Sequence, residues 1–346
     1  MTSLTFGFAN VAVDPLTAVE YGVLAEKSGF DTLWMPDHIV DVDGDKTDPW
    51  TTLSAVAVRT KKIRLGSAVT DTQRSHPSRT AHQVASLDQL SHGRAILGIG
   101  AGEAMNIVPF GLPWDQPQDR ITRLAEAITV IRLLWSSTRE KPVSYEGRFY
   151  NLENAFLSQP PKKKPHPPIY VGVFSSKSAL KVVGELGDGW YSWLNTADTF
   201  KRRWAVIGEA AKNAGRSRRM IVPCSHLLVA FPKNTRERKM AMMSAKMTLI
   251  MEKSVLKSLG YKPAMEQYQN LGTLKEDVAK VLSAAELVPD DLVHRVCSIG
   301  DMDQVEEKVE QLAKAGITHF SIADLLAPLT VKRTLKKMRR TISRYA

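Results

Sequence analysis

Four stretches of the chain carry side chains whose types and spacing suit chemistry. In WMPDH, Asp37 and His38 stand together behind Trp34 and Met35. Imidazole exchanges protons on either side of neutrality, so His38 is a candidate for moving a proton or positioning a reducible carbon, with Asp37 as its orienting group. The other reading is a polar loop histidine without chemistry. Trp34 and Met35 would shape an apolar slot beside the pair. In ILGIGAGEAMN, Gly98, Gly100 and Gly102 precede Glu103 and Asn106. Such glycines would let a flat ring or a phosphate lie against bare backbone, and an apolar cleft would raise the Glu103 carboxyl until it can exchange a proton. A helix-capping carboxylate is the alternative for Glu103. The run is not a dinucleotide fingerprint, because Glu103 occupies the next required glycine position.

In YVGVFSSKSALK, Ser175, Ser176 and Ser178 surround Lys177 at the start of a helix. Free N–H groups, hydroxyls and a cation together make a seat for a phosphate, with an ordinary serine cap as the plainer reading. GSAVTDTQRSHP offers the small residues Gly66, Ser67 and Ala68 for close backbone approach, then Thr70 and Asp71 as short polar groups. Arg74 and His76 would meet a ligand's acid or form a solvated rim. None of the eight histidines stands in an HxH or HExxH motif and there is no CxxC, so no metal site is expected.

These stretches acquire meaning from the elements that must carry them. Short apolar runs alternate with amphipathic stretches, as in repeated βα units around a parallel sheet. Strands are expected at Leu4–Ala9, Phe30–Met35, Ile63–Val69, Ala95–Gly100, Ile169–Phe174, Gly189–Trp193, Ile221–Ala230 and Ile317–Ile322. Between them fall helices at Leu16–Ser28, Pro49–Arg59, Pro77–Leu90, Gln118–Trp135, Lys177–Leu186 and Phe200–Ala214, followed by Asp303–Ala315 and Val331–Arg344. Over 233–289 the alternation gives way to helix-forming residues, including Met240, Met242, Met243, Met247 and Met251 as adaptable core fillers. The expected architecture is a (β/α)8 TIM barrel, one domain over residues 1–346, with a helical insertion after strand seven; an open doubly wound sheet is the alternative. All four candidate stretches fall at carboxyl ends of strands, where such a barrel does its chemistry.

Composition narrows the function classes. Of 346 residues, 43% are hydrophobic and 24% charged, a globular balance. No apolar run is long enough for a membrane span, and the first residues do not read as a signal peptide, so a cytoplasmic protein without membrane partners is expected. Cys224 and Cys297 are expected as reduced, buried thiols. The net charge of +11 is concentrated at Val331–Arg340 and in the three lysines between Pro160 and His166. Without aromatic interleaving or a recognition helix this reads as a solvated face or attraction for an acidic cofactor, and not as a nucleic-acid surface.

WMPDH, HGRAILGIGAGEAMN, PFGLPWDQPQDR and PPIYVGVFSSKSALKVVGELGDGW together resemble the luciferase-like family of flavin and deazaflavin oxidoreductases, over nearly the whole chain. Within it the chain looks most like the coenzyme F420-dependent branch, which holds methylenetetrahydromethanopterin reductases, secondary alcohol dehydrogenases and sugar-phosphate dehydrogenases. The resemblance implies a homodimer that passes a hydride between F420 and a small-molecule substrate. It places Asp37 and His38 beside the deazaflavin ring and makes Glu103 a proton-transfer group with Gly102 lining the site. Ser67 and Ala68 would form a bulge behind the ring, often with a non-proline cis peptide, and Ser175, Ser176 and Lys177 would receive the cofactor's phosphate. The pterin reductases carry a glutamate near the end of strand one where Ala9 stands here, which favours a more general F420-dependent oxidoreductase. An FMN-dependent monooxygenase on the same fold and a non-catalytic cofactor-binding barrel are the alternatives.

Overall fold

The computed structural model describes residues 3–11, 14–40, 47–261 and 275–345. In chain order the strands are β1 (Thr5–Ala9), β2 (Thr32–Met35), β3 (Arg64–Ser67), β4 (Thr70–Asp71), β5 (Ala95–Gly100), β6 (Val143–Glu146), β7 (Asn151–Ala155), β8 (Ile169–Gly172), β9 (Gly189–Trp193), β10 (Val222–Ala230), β11 (Ser298–Ile299) and β12 (His319–Asp324). Parallel pairing runs β1–β2–β3–β5–β8–β9–β10–β12 and returns to β1, closing an eight-stranded barrel. The open-sheet alternative is thereby excluded.

Helices α1 (Pro15–Lys27), α2 (Pro49–Arg59), α3 (Pro77–Leu90), α4 (Pro117–Ser136), α5 (Lys177–Leu186) and α6 (Ala197–Asn213) follow successive barrel strands. Four of them open on proline, whose fixed φ and missing N–H suit a first turn. Asp14 and Asp48 cap the first two by accepting from the N–H groups of Thr17 and Thr51. The helical segment after β10 comprises α7 (Thr235–Met251), α8 (Lys253–Ser258), α9 (Lys275–Glu286) and α10 (Asp290–Val296), so it runs past the expected end at 289. Its stretch 262–274 lies outside the described residues. Then come α11 (Met302–Lys314) and α12 (Val331–Tyr345). The antiparallel hairpin of β6 and β7 and the two-residue β11 were not anticipated from the sequence. Among the described residues no helix is long and apolar enough to cross a membrane.

Alternation along each strand sorts the apolar residues into two cores. On β10, Leu227 and Val229 face outward and join Leu33, Leu97 and Phe320 beneath the helices. Cys224, Leu228 and Ala230 face inward with Trp34, Ile96, Tyr170 and Tyr191. That inner core does not stop at the barrel mouth, because Leu249, Ile250, Leu256 and Val293 of the inserted helices belong to it. Met242, Met243, Met247 and Met251 pack against it as the expected fillers, whereas Met240 is exposed. The insertion is therefore a roof over the carboxyl end of the barrel.

Trp34 fills the barrel centre. A side chain at Gly7 or Gly66 would meet its ring at 2.6 or 2.4 Å, so both flanking strands need glycine there. Beneath it His319 accepts from the indole and lies against Thr5 Oγ1 at 2.7 Å. Burial pushes the His319 pKa down to about 3, with the positive charge of Arg64 in the same direction. Both cysteines are buried and free, as expected.

Candidate functional site

His38 follows β2 and Glu103 follows β5, and the fold brings them together: His38 Nε2 lies 3.5 Å from Glu103 Oε2. Their side chains are 19% and 50% exposed, so the pair faces open space with the imidazole the more sheltered. Glu103 stands at the start of a short 3-10 turn, but its side chain makes no cap hydrogen bond. The capping alternative is thus excluded and the carboxylate is available to the imidazole.

Two side chains lock these loops in place. Asn106 Oδ1 accepts from the backbone N–H groups of Ile39 at 2.6 Å and Val40 at 3.0 Å, tying the His38 loop to the Glu103 loop. Arg74 spans the carboxylates of Asp37, at 3.1 Å, and Asp71, and also donates to the Asp37 carbonyl at 2.7 Å. This corrects two expectations. Asp37 is spent on Arg74, so the carboxylate placed beside His38 is that of Glu103. Arg74 is neither a ligand clamp nor a solvated rim residue but an internal brace, 15% exposed. Burial raises the Asp37 carboxyl above its usual range, and Arg74 offsets only part of that rise.

Between β3 and β4 the chain bulges into the barrel. Gly66 pairs with Ile96 and Thr70 with Ile99, so one side of the ladder takes four steps while the other takes three. The bulge contains a non-proline cis peptide at Ala68–Val69, immediately after the Ser67 and Ala68 that the resemblance implied would form it. Ser67 is fully buried, and its hydroxyl donates to the Gly98 carbonyl at 2.8 Å while accepting the Gly98 N–H at 3.1 Å. Its side chain supports the bulge from behind and does not reach the cleft.

The glycines of β5 and β8 serve that bulge. A Cβ on Gly98 would lie 1.9 Å from the Ser67 carbonyl oxygen, one on Gly100 would lie 3.0 Å from a Val69 methyl, and one on Gly172 would lie 2.7 Å from it. The space beside Gly98 and Gly100 is therefore filled by the chain's own bulge, which corrects the reading of those two glycines as a bare floor for a ring. Gly102 differs: at φ +88° it adopts a conformation that favours glycine, and it turns the chain toward Glu103.

At the far side, Ser175, Ser176 and Lys177 are exposed where α5 begins. Ser176 is the N-cap by position yet makes no side-chain cap bond; its hydroxyl instead meets that of Ser178 at 2.8 Å. The first-turn N–H groups are left facing outward, an arrangement that fits an anion. Among the described residues no cluster suited to a metal ion occurs.

Two groups were missed in the sequence. His226 points into the barrel from β10, stacked on Trp193 with ring centres 4.5 Å apart, its Nδ1 2.8 Å from the Tyr191 hydroxyl. Burial holds its pKa down at about 3, so it is neutral. Trp193 therefore borders the inner wall, whereas Trp190 lies in the outer core against Phe200. The second group is Glu252, at the junction of α7 and α8 in the roof. Alternation on β10 would have turned His226 inward, but nothing local in a Met-rich helix marks Glu252.

The profile of the family described as "Luciferase-like monooxygenase" matches residues 6–319. The chain is 37% identical over 195 residues to an F420-dependent glucose-6-phosphate dehydrogenase of Microbacterium testaceum, covering 54% of this chain and 56% of that protein, so it spans about half of that relative's length. It is 28% identical over 333 residues to a 5,10-methylenetetrahydromethanopterin reductase of Archaeoglobus fulgidus, covering 94% and 95%. Among solved structures, an F420-dependent secondary alcohol dehydrogenase with an F420–acetone adduct superposes with a TM-score of 0.83 at 24% identity, covering 99% of each chain. The F420-dependent tetrahydromethanopterin reductase of Methanopyrus kandleri superposes with a TM-score of 0.82 at 24% identity, over 99% of this chain and all of the other. At this identity the two structures share the fold.

Proposed function

Since the chain belongs to the luciferase-like family of oxidoreductases, with F420-dependent enzymes among its relatives, we propose that it binds coenzyme F420 and catalyses hydride transfer between that deazaflavin and a small alcohol, carbonyl or pterin-bound one-carbon substrate. The observation that carries this reading is the His38–Glu103 pair at the barrel mouth, held by Asn106 within the same loop system as the Ala68–Val69 bulge.

The residues fit a deazaflavin. The bulge is a rigid backbone shelf, because Gly98, Gly100 and Gly172 leave it no room to retreat. The uncapped start of α5, with Ser175, Ser176 and Lys177, suits the phosphate, and Gly102 with Ala68 would line the ring's surroundings. When bound, the deazaflavin accepts or donates the hydride at carbon. For an alcohol or carbonyl substrate the protein's share is then to hold the substrate oxygen and handle its proton: His38 as imidazolium gives a proton to the oxygen in reduction, or as neutral imidazole takes it in oxidation, and Glu103 balances the charged form of the ring.

The substrate side favours a general oxidoreductase. Ala9 ends β1 without a carboxylate, and Asn10 beyond it is buried and donates to the Ala18 carbonyl at 2.7 Å.

The test is an anaerobic titration of cofactor-stripped protein with F420 and, separately, with FMN, followed by absorbance and fluorescence. Tight F420 binding with weak FMN binding supports the proposal. Preference for FMN together with reduced-flavin-dependent oxygen uptake would replace it with a monooxygenase, and F420 binding without turnover on a broad substrate panel would leave a binding barrel.

A further inference from the structure

The segments that follow the seventh and eighth barrel strands, β10 and β12, enclose a cavity of about 350 Å3 that neither His38 nor Glu103 lines. It lies between the start of α7 and the turn leading from β12 into α12, and its volume is that of a small-molecule site. The turn is held in place from below. The Asp324 carboxylate accepts from the Leu326 N–H at 3.0 Å and from the hydroxyls of Thr330 at 2.6 Å and Thr334 at 2.8 Å. Leu326 lines the cavity and also belongs to the inner core. Met240 and Leu329 add an apolar flank, and at 41% and 75% exposure both side chains are open to water.

The polar lining is uneven in charge. Lys233, Lys332 and Arg333 are set against Glu237, the one acid among the lining residues. Glu237 Oε2 accepts from Arg333 Nη2 at 2.8 Å and from the backbone N–H of Lys233 at 2.8 Å. One cation is thus answered, and a surplus of two positive charges is left on the lining. Arg333 Nε is buried without a hydrogen-bond partner among the described residues. Lys332 and Arg333 also stand in the first turn of α12, which contains no acid. The dipole of a helix opposes cations at that end, so their placement costs stability unless an anion joins them. A sequence that works against its own helix is expected at functional sites.

We propose that this cavity binds a phosphate monoester carrying a small apolar group. A phosphate dianion matches the two unanswered charges, with Lys233 and Lys332 as point charges and Arg333 Nε–H as a further donor, while the apolar group lies against Met240 and Leu329. Barrels of this class often seat phosphate in the loops after strands seven and eight. Glu237 competes with the ligand for Arg333. Because α7 opens the roof and α12 closes the barrel, the bound ester would bridge the two.

The test is a calorimetric titration of the full chain with phenyl phosphate and, separately, with inorganic phosphate at physiological salt. Phenyl phosphate should saturate a single site per chain, about tenfold tighter than inorganic phosphate, because only the ester reaches the apolar flank. Lys332→Glu, at an exposed position, should weaken the ester about tenfold or more. Glu237→Gln keeps an acceptor for the Lys233 N–H and removes the competing charge, so it should bind the ester several-fold more tightly, a gain that misfolding cannot imitate. Absence of saturation, inorganic phosphate bound as tightly as the ester, or indifference to both substitutions would overturn the proposal. Loss of binding in Lys177→Ala with Lys332→Glu unaffected would put the ester at the start of α5 and overturn it as well.

Discussion

In the middle of the barrel the indole N–H of Trp34 donates to Nε2 of His319 across 3.1 Å. That bond fixes the tautomer. Nε2 accepts, so the neutral ring carries its proton on Nδ1 and gives it to Thr5 Oγ1, 2.7 Å away. A second proton would set N–H against N–H beside the Arg64 cation.

Acid sensitivity follows from this pair. His319 and His226 both have pKa values near 3 in the fold, against 6.5 when unfolded. A depressed histidine contributes stability that is complete above 6.5 and is lost as pH falls toward 3, at about 1.4 kcal/mol per pH unit for each ring. Thermal unfolding between pH 7 and 4 should show this slope, and His319→Gln, whose amide can accept from Trp34, should remove about half of it. An unaltered slope would show that other groups control acid unfolding.

Removing the proton-handling groups should lower turnover without unfolding the protein. His38→Ala and Glu103→Gln should each cut kcat by about 10²–10⁴-fold for the first and less for the second, since Glu103 acts through the imidazole. F420 affinity by fluorescence and the unfolding midpoint should stay near wild type. Wild-type kcat in both variants on a verified substrate would remove them from the mechanism.

The bulge should behave as a shelf that cannot move. Gly172→Ala pushes a methyl to 2.7 Å from Val69, which should cost about 1–3 kcal/mol and weaken F420 binding. Val69→Ala in the same chain should restore part of both, giving a coupling of about 0.5–3 kcal/mol. Strict additivity in the double mutant would mean that the two do not press on one another.

Phosphate capture at α5 is tested by charge. Lys177→Ala should weaken F420 about tenfold, and Ser176→Asp should weaken it more, by setting a carboxylate where the phosphate would sit. The difference from wild type should shrink at high salt. Titrations insensitive to both changes would move the phosphate elsewhere.

The sheltered carboxyl of Glu252, at the junction of α7 and α8, should reveal itself in stability. Its pKa rises on folding from an ordinary 4.5 to about 8, so the protonated group's contribution is complete below 4.5 and is lost as pH climbs through 8. Glu252→Gln should therefore be no more stable than wild type at pH 4.5 and more stable at pH 9, by on the order of a few kcal/mol less what solvent screening removes. Equal unfolding midpoints at pH 9 would count against the raised pKa.

Much of this architecture is legible in local sequence, for physical reasons. Pro49–Arg59, Pro77–Leu90, Ala95–Gly100, Lys177–Leu186 and Gly189–Trp193 have the bounds expected of them, because proline, glycine and strand alternation punctuate those segments. The same logic put His38 and Glu103 at strand exits. The hairpin at Val143–Ala155 carries a weaker local signal, two short alternating runs on either side of Gly147. What could not be read is what depends on meeting across the fold. Arg74 could not be known as a brace until Asp37 and Asp71 were found on either side of it, and Gly98 served a bulge from another strand.

That the roof and the barrel interior share one apolar core has a consequence for how the protein is handled. Lifting α7 and α8 would uncover the faces of Leu228, Ala230 and the inserted helices together, so a chain shortened to the bare barrel should clump on expression instead of yielding a simpler enzyme. Amide exchange should find the roof and the mouth strand β10 opening as one unit.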